Sequence, residues 1–249
     1  MRKKIILYFF TITFVFVGWW RAPIIGDEWS KQTIYVGFLD ILYGGSSDKK
    51  AHAMWIDDDS TEGVFLVKQI SDVIGIKPIF GIIAEKMTQE VADSLAAWQH
   101  QGAGIILHGL RHERWKDWNE ADIENDIIQS RIKLHELGFD TAKILKMVIP
   151  PHGCNTRTIR KVIARQGCQM ISGASLINPD RHVFQLGRIG ITPETDLEEM
   201  RKLLQKAYDR KAFVIFGTHS SLPECFSVEK TQKVITIAKE IGFCFDDYE

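Results

Sequence analysis

Residues 88–108 read TQEVADSLAAWQHQGAGIILH. Val91, Leu95 and Trp98 recur at helical spacing, Gly102 stands where a helix stops in a left-handed residue, and the run GIIL at 104–107 carries no polar side chain. A short run that does not alternate apolar with polar is a strand buried on both faces, the pattern of a parallel sheet covered by helices. His108, the next residue, then lies at the C-terminal end of such a strand.

The same unit recurs outward in both directions. Apolar runs at 53–56 (AMWI), 78–83 (PIFGII), 104–107, 144–149 (ILKMVI), 169–172 (QMIS), a weak one near Ile189, and 213–218 (FVIFGT) predict seven strands. Helical patterns lie between and after them at about 61–74, 88–101, 119–137, 155–166, 196–210 and 227–241. Gly75, Gly102, Gly138, Gly167 and Gly242 sit just past five of these patterns, as C-terminal caps do. Strict alternation of strand and helix predicts an α/β fold with parallel strands, and this many units in one chain suit a closed or nearly closed barrel. An open doubly wound sheet is the alternative, weakened because no G-x-G-x-x-G follows the first strand. Residues 173–195 are poorly patterned and read as a degenerate repeat carrying a loop.

Composition narrows the partners. Thirty-one basic against thirty-two acidic residues leave a formal charge of −1, so no overall field favours nucleic acid or another polyanion. Cys154, Cys168, Cys225 and Cys244 form no CxxC pair, which removes a zinc knuckle and a thioredoxin-like motif and leaves disulfides open. Arg2, Lys3 and Lys4 precede a mostly apolar run from Ile5 to Trp20, the order of an export signal. The run is slightly long for a cleaved signal and slightly short for a membrane span, and no A-x-A site follows it. Residues 1–25 are therefore expected to be a signal peptide or membrane anchor and 26–249 the catalytic domain. The expected location is outside the cytoplasm: periplasm, cell envelope or membrane-anchored.

The unusual polar residues fall at strand ends. Asp57, Asp58 and Asp59 follow AMWI, His108 follows GIIL, Pro150, Pro151 and His152 follow KMVI, and His219 follows VIFGT. In parallel α/β barrels the strand C-termini share one face, so these positions describe a single constellation. His108 and His112, spaced i, i+4, would share a cation from one turn of helix. Two imidazoles and the Asp58 carboxylate make a three-ligand set of the catalytic zinc type with a fourth position for water; other borderline divalent ions also fit. The aspartate run has competing explanations as a helix cap or a calcium loop, but it does not continue in the D-x-D-x-D-G register. From residues alone the reading stops at a divalent-metal hydrolase with an Asp-His-His site.

Taken in order, D-D after the first strand, H-x-x-x-H after the third, P-P-x-G after the fourth and a histidine after the last resemble the polysaccharide deacetylases of the NodB-homology type, carbohydrate esterase family 4. The phrases IGIKPIFGII, QGAGIILHGLRH, IPPHGCNTRTIRKVIARQG and IAKEIGFCF belong to the same resemblance, which runs from about Ala51 to Tyr248. It implies a distorted, incomplete (β/α)7 barrel of the NodB-homology type. It also implies roles: Asp57 as catalytic base, Asp58, His108 and His112 as metal ligands, His219 as general acid, and a backbone N–H near Pro151 and His152 as oxyanion donor. The cofactor implied is a divalent ion, Zn2+ first, with Co2+, Ni2+ or Mn2+ as alternatives. The substrate implied is an acetylated oligo- or polysaccharide, losing an N-acetyl or O-acetyl group.

The sequence departs from the family pattern at three places. Ile149 stands where the family has an arginine that orients the base, and Arg111, Arg181 or Arg188 would have to replace it from another loop. Asp59 replaces the glycine after the aspartate pair, which adds a candidate ligand and raises the register Asp58–Asp59; the register Asp57–Asp58 is kept because the AMWI strand ends most naturally there. The family's aspartate and tryptophan motif is not recognisable in 172–190. Two further readings follow: a carbohydrate-binding domain on the same fold that has lost catalysis, and a non-carbohydrate amidohydrolase. Trp115 and Trp118, just after the histidine pair, are candidates for stacking on a sugar ring or for covering a helix.

Overall fold

The computed structural model describes residues 50–58, 60–173 and 177–245. The expected signal or anchor at 1–25, and Asp59, lie outside the described residues. No helix among the described residues is long and apolar enough to cross a membrane.

The strands are β1 (His52–Asp57), β2 (Ile79–Ile82), β3 (Gly104–Leu107), β4 (Met147–Val148), β5 (Gln169–Ser172), β6 (Gln185–Gly187), β7 (Ile189–Gly190), β8 (Phe213–Thr218) and β9 (Cys244–Phe245). The helices are α1 (Gly63–Ile74), α2 (Gln89–His100), α3 (Glu120–Glu136), α4 (Arg157–Arg165), α5 (Leu197–Asp209) and α6 (Val228–Ile241). All six helical patterns read from periodicity became helices. Thr88, Asn119, Thr156, Asp196 and Ser227 accept backbone N–H bonds at the starts of α2 to α6, each such cap contributing about 1 kcal/mol. Gly75 and Gly242 end α1 and α6 with φ of 67° and 110°, a conformation that a residue with a Cβ reaches only at a cost.

The sheet runs β6-β5-β4-β3-β2-β1-β8-β7, with β9 added beside β1, and its strand pairs are parallel. Its two outermost strands, β6 and β7, are consecutive in sequence and separated by Arg188 alone. β6 pairs with β5 and β7 with β8. The sheet is thus a parallel barrel nearly closed, with one unsealed seam crossed by residues 185–190. The weak run near Ile189 is this crossing segment, and the short strands β6 and β9 were not legible as apolar runs.

Side chains of period two divide each strand between two layers. Met54, Ile56, Ile79, Ile106, Ile149, Ile171, Leu186, Phe213 and Ile215 fill the barrel interior. Ala53, Trp55, Phe80, Ile105, Leu107, Val214 and Phe216 face outward against Val64, Val67, Leu95, Ile123 and Ile235 of the helices. Each fully buried large side chain of this kind contributes about 1.5–3 kcal/mol relative to exposure. Trp115 is fully buried in this outer layer and Trp118 packs against it, so Trp115 covers core and is not available to a sugar. The four cysteines are free thiols.

Candidate active site at the barrel mouth

The parity that sorts the core also sorts the aspartates. Met54 and Ile56 point into the barrel, and Asp58 continues their side. Ala53 and Trp55 point outward, and Asp57 continues theirs. On β8, paired with β1 so that Asp57 faces Thr218, the interior side runs Phe213, Ile215, Gly217 to His219, and the outer side runs Val214, Phe216, Thr218 to Ser220. Ile106 leads in the same way to His108. Asp58, His108 and His219 therefore meet over the interior.

The distances bear this out. Asp58 Oδ2 lies 3.7 Å from His108 Nε2, and Asp58 Oδ1 lies 3.2 Å from His219 Nε2. The His108 and His112 rings are 4.6 Å apart between centroids, and the His112 and His152 rings 4.4 Å. Asp58 and His108 are buried, while the His219 side chain is 39% exposed and faces the opening. The N–H groups of Asp58 and His108 still bond to Thr218 O and Ile82 O, so both residues extend their strands' ladders and are rigidly placed.

Asp57, expected as the base, is directed elsewhere. Its Oδ1 accepts from Thr218 Oγ1 (2.7 Å) and Ser220 N (3.0 Å), and its Oδ2 from Ser220 Oγ (2.6 Å). Thr218 Oγ1 in turn accepts from Trp55 Nε1 at 3.0 Å. These bonds form an outer-layer network that ties β1 to the end of β8. The cation near the aspartates is Arg188: its Nη1 stands 2.6 Å from Asp58 Oδ2 without the alignment of a hydrogen bond, an ion pair almost wholly removed from water. Burial pushes the Asp58 carboxyl upward, but Arg188, then His219 and His108, outweigh it and hold it well below the usual carboxylate range. Arg111 instead pairs with Glu85 on the surface, Nε to Oε2 at 2.5 Å.

The histidine pair is not on a helix. Gly109 (φ 84°) and His112 (φ 64°) bend the chain through left-handed residues, so a loop brings the rings together where a helical turn was expected. That loop is pinned by Leu110 N donating to the buried Asp126 Oδ1 at 2.9 Å, and by Ala84 N and Glu85 N donating to Gly109 O and Leu110 O. Burial raises the Asp126 carboxyl. His152 (φ 56°) is also left-handed, and its Nε2 is 2.9 Å from His112 O. A non-glycine residue in this region costs about 1–2 kcal/mol, and two of the three among the described residues sit here, where the surroundings must hold them. Pro151, in the same turn as His152, is buried.

Among the described residues no three His, Cys, Asp or Glu side chains are arranged as a finished metal cage. The chemistry of the imidazoles nevertheless suits one. His108 Nδ1 lies 2.9 Å from Ile149 O; donating there fixes the tautomer whose Nε2 lone pair faces the site, the usual support of a metal-binding histidine. His112 is pushed down to about 4, first by burial and then by His108 and His152, so its ring is neutral at physiological pH and able to ligate. The Asp58 oxygen on the His108 side is shared with Arg188, which makes it the least free of the three expected ligands.

Sequence reasoning missed Asp126, Thr218 and Ser220, and left Arg188 as one of three candidates. Asp126 had a signal: with Ile123, Ile127, Ser130 and Leu134 it lies on the buried stripe of α3, where a lone acid needs a purpose.

A family model described as polysaccharide deacetylase matches residues 44–171. No curated protein matches the chain by sequence. Among solved structures, the chitin deacetylase from Colletotrichum lindemuthianum is 15% identical with a TM-score of 0.60, covering 79% of this chain and 85% of its own. The polysaccharide deacetylase Bc1974 from Bacillus cereus is 15% identical with a TM-score of 0.56, covering 80% and 93%. A family 4 carbohydrate esterase pseudoenzyme from Bacillus anthracis is 12% identical with a TM-score of 0.55, covering 79% of this chain and 63% of its own. At these identities the likeness to solved structures establishes the fold.

Proposed function

Because this chain belongs to the polysaccharide deacetylase family, we propose that it hydrolyses acetyl groups from an oligo- or polysaccharide at the barrel mouth, outside the cytoplasm. The observation that carries this is the meeting of Asp58, His108 and His219 from three separate strand ends, with the His112 ring packed edge-on against His108.

His108 and His112, with a carboxylate of the aspartate run, would hold a divalent ion, zinc or another borderline metal; when bound it supplies polarisation of the acetyl carbonyl and a lowered pKa for water. His108 is kept in the ligating tautomer by the Ile149 carbonyl. His219, at the open side, donates a proton to the departing amine or alkoxide, a contribution of roughly 10²–10⁴ in rate. Gly153 N and Cys154 N donate to Pro150 O and Pro151 O within their turn. The expected oxyanion donor near Pro151 and His152 is then the His152 amide, worth roughly 10²–10³. Acetate release from acetylated chito-oligosaccharide and acetyl-xylan, with and without added zinc, tests the reading. Release by protein stripped of every divalent ion would overturn the metal role. Export rests on Arg2, Lys3 and Lys4 before the apolar run, and recovery of the expressed protein only in the cytosol would contradict it.

A second reading has a specific support: Ile149 fills the barrel interior where an arginine is expected, and a pseudoenzyme shares the fold. In that case the chain binds the glycan and releases no acetate.

A further inference from the structure

We infer that Arg188, carried across the barrel seam, is the positioning residue of Asp58, and that Asp58 rather than Asp57 is the carboxylate that takes the proton of the attacking water. This rests on the deacetylase reading and specifies its acid–base pair.

Three observations converge. First, the two Asp57 oxygens are occupied by Thr218 and Ser220 on the outer side of β1, so that carboxylate is a structural tie between strands. Second, Asp58 Oδ2 is anchored by Arg188 Nη1 at 2.6 Å, while Oδ1 lies 3.2 Å from His219 Nε2. One oxygen is fixed and the other faces the acid. Third, the structure makes room for this cation. A Cβ on Gly217 would lie 2.9 Å from Arg188 Cδ, and a Cβ on Gly81 would lie 3.0 Å from Asp58 Cβ. Glycine at 217 gives the guanidinium stem its path over β8, and glycine at 81 gives Asp58 its place over β2. Arg188 is the single residue between β6 and β7 and lies two residues beyond the interior-facing Leu186, on the same side of the chain.

In the reaction the water oxygen bonds to the acetyl carbon as its proton passes to Asp58 Oδ1. The C–N or C–O bond then breaks, and the His219 proton goes to the leaving nitrogen or oxygen, giving acetic acid, which ionises to acetate in water, and a free amine or hydroxyl, while the proton held by Asp58 returns to His219 Nε2, 3.2 Å away. Arg188 touches no reacting atom. It holds the Asp58 rotamer and balances its charge in a site shielded from water.

The test compares zinc content and kinetics of the full chain with those of Asp58→Asn, Arg188→Met, Arg188→Lys, Gly217→Ala and His108→Ala. Asp58→Asn and Arg188→Met are expected to keep wild-type zinc content while His108→Ala loses it. Arg188→Met is expected to lower kcat by roughly 10² with KM little changed, the scale of an ångström of misplacement. Arg188→Lys should recover about tenfold of that loss by restoring charge without the planar fork. Gly217→Ala keeps Arg188 but displaces it, and should lower kcat in the same way if the fold is intact by circular dichroism. Loss of zinc by Asp58→Asn to the extent of His108→Ala overturns the inference by making Asp58 a ligand. Equal kcat in wild type and Arg188→Met overturns it independently. If the wild type releases no acetate from any substrate, the deacetylase reading fails, and the zinc arm still decides whether Asp58 is a ligand.

Discussion

His108 Nδ1 lies 2.9 Å from the carbonyl oxygen of Ile149. The residue that departs most visibly from the family pattern is therefore still part of the site, through its backbone, and its side chain is core. Ile149 is 1% exposed, and a Cβ on Gly81 would meet its Cδ1 at 2.9 Å.

Restoring the family's arginine here should consequently harm the protein. Ile149→Arg places a second cation inside a full apolar interior, beside an Asp58 already paired with Arg188, and an uncompensated buried charge costs several kcal/mol. Thermal unfolding should show a Tm lower by about 5 °C or more, with no gain in acetate release. A variant as stable as wild type and more active would show that Arg188 does not supply the needed charge.

Asp57 and Asp58 should separate in mutagenesis. Asp57→Asn leaves at least one of its three donors without an acceptor, at about 1–3 kcal/mol, or a Tm lower by roughly 2–10 °C. Its folded fraction should keep kcat within about tenfold of wild type, whereas Asp58→Asn should lose roughly 10² or more. Differential scanning calorimetry and steady-state kinetics read both. A stable, inactive Asp57→Asn would return the base to Asp57.

His108→Ala and His112→Ala should lose bound zinc and turnover together, measured by metal analysis and acetate release. Asp126→Ala unties the loop that carries them, leaving Leu110 N without its acceptor. It should weaken zinc binding by about 10–100-fold, the usual effect of removing a group that orients ligands.

Acid should destabilise the metal-free protein in two steps. The His112 ring is held near 4 against 6.5 in the unfolded chain. Between those values the unfolded state takes up the proton, so stability falls as pH drops through that window. Half-exposure of the ring keeps this step small. Asp58, held below its ordinary 3.8, contributes stability that is present above that value and is lost below it. Asp126, raised by burial, has the opposite sign and offsets part of the loss. Tm measured from pH 7 to 3 should decline, and His112→Gln should flatten the slope between 6.5 and 4. An identical slope in that variant would contradict the assignment.

The helices were legible because they are periodic and five of them begin on a side-chain cap, and Gly75, Gly102, Gly138, Gly167 and Gly242 all take the left-handed conformation their positions implied. The seam was only partly legible: the weak run near Ile189 is β7, but β6 is too short to show a pattern, and the pairing of β6 with β5 and of β7 with β8 is set by tertiary closure. The alternation Met54, Ile56, Asp58 against Ala53, Trp55, Asp57 is present in the sequence. Which set faces the interior is decided by the helices that cover Trp55, and no local rule supplies that. The i, i+4 spacing of His108 and His112 suggested a helix, yet Gly109 breaks the turn and the rings meet through a loop. Arg188 could not be chosen over Arg111 because its reach to Asp58 depends on where the barrel closes.

The most direct measurement is acetate release from acetylated chito-oligosaccharide and acetyl-xylan by the purified full chain, before and after a chelator and after zinc is returned. Release that stops with the chelator, resumes with zinc and is absent in His219→Ala is the predicted result. Glycan binding with no acetate released under any divalent ion would contradict it and identify a silent member of the family.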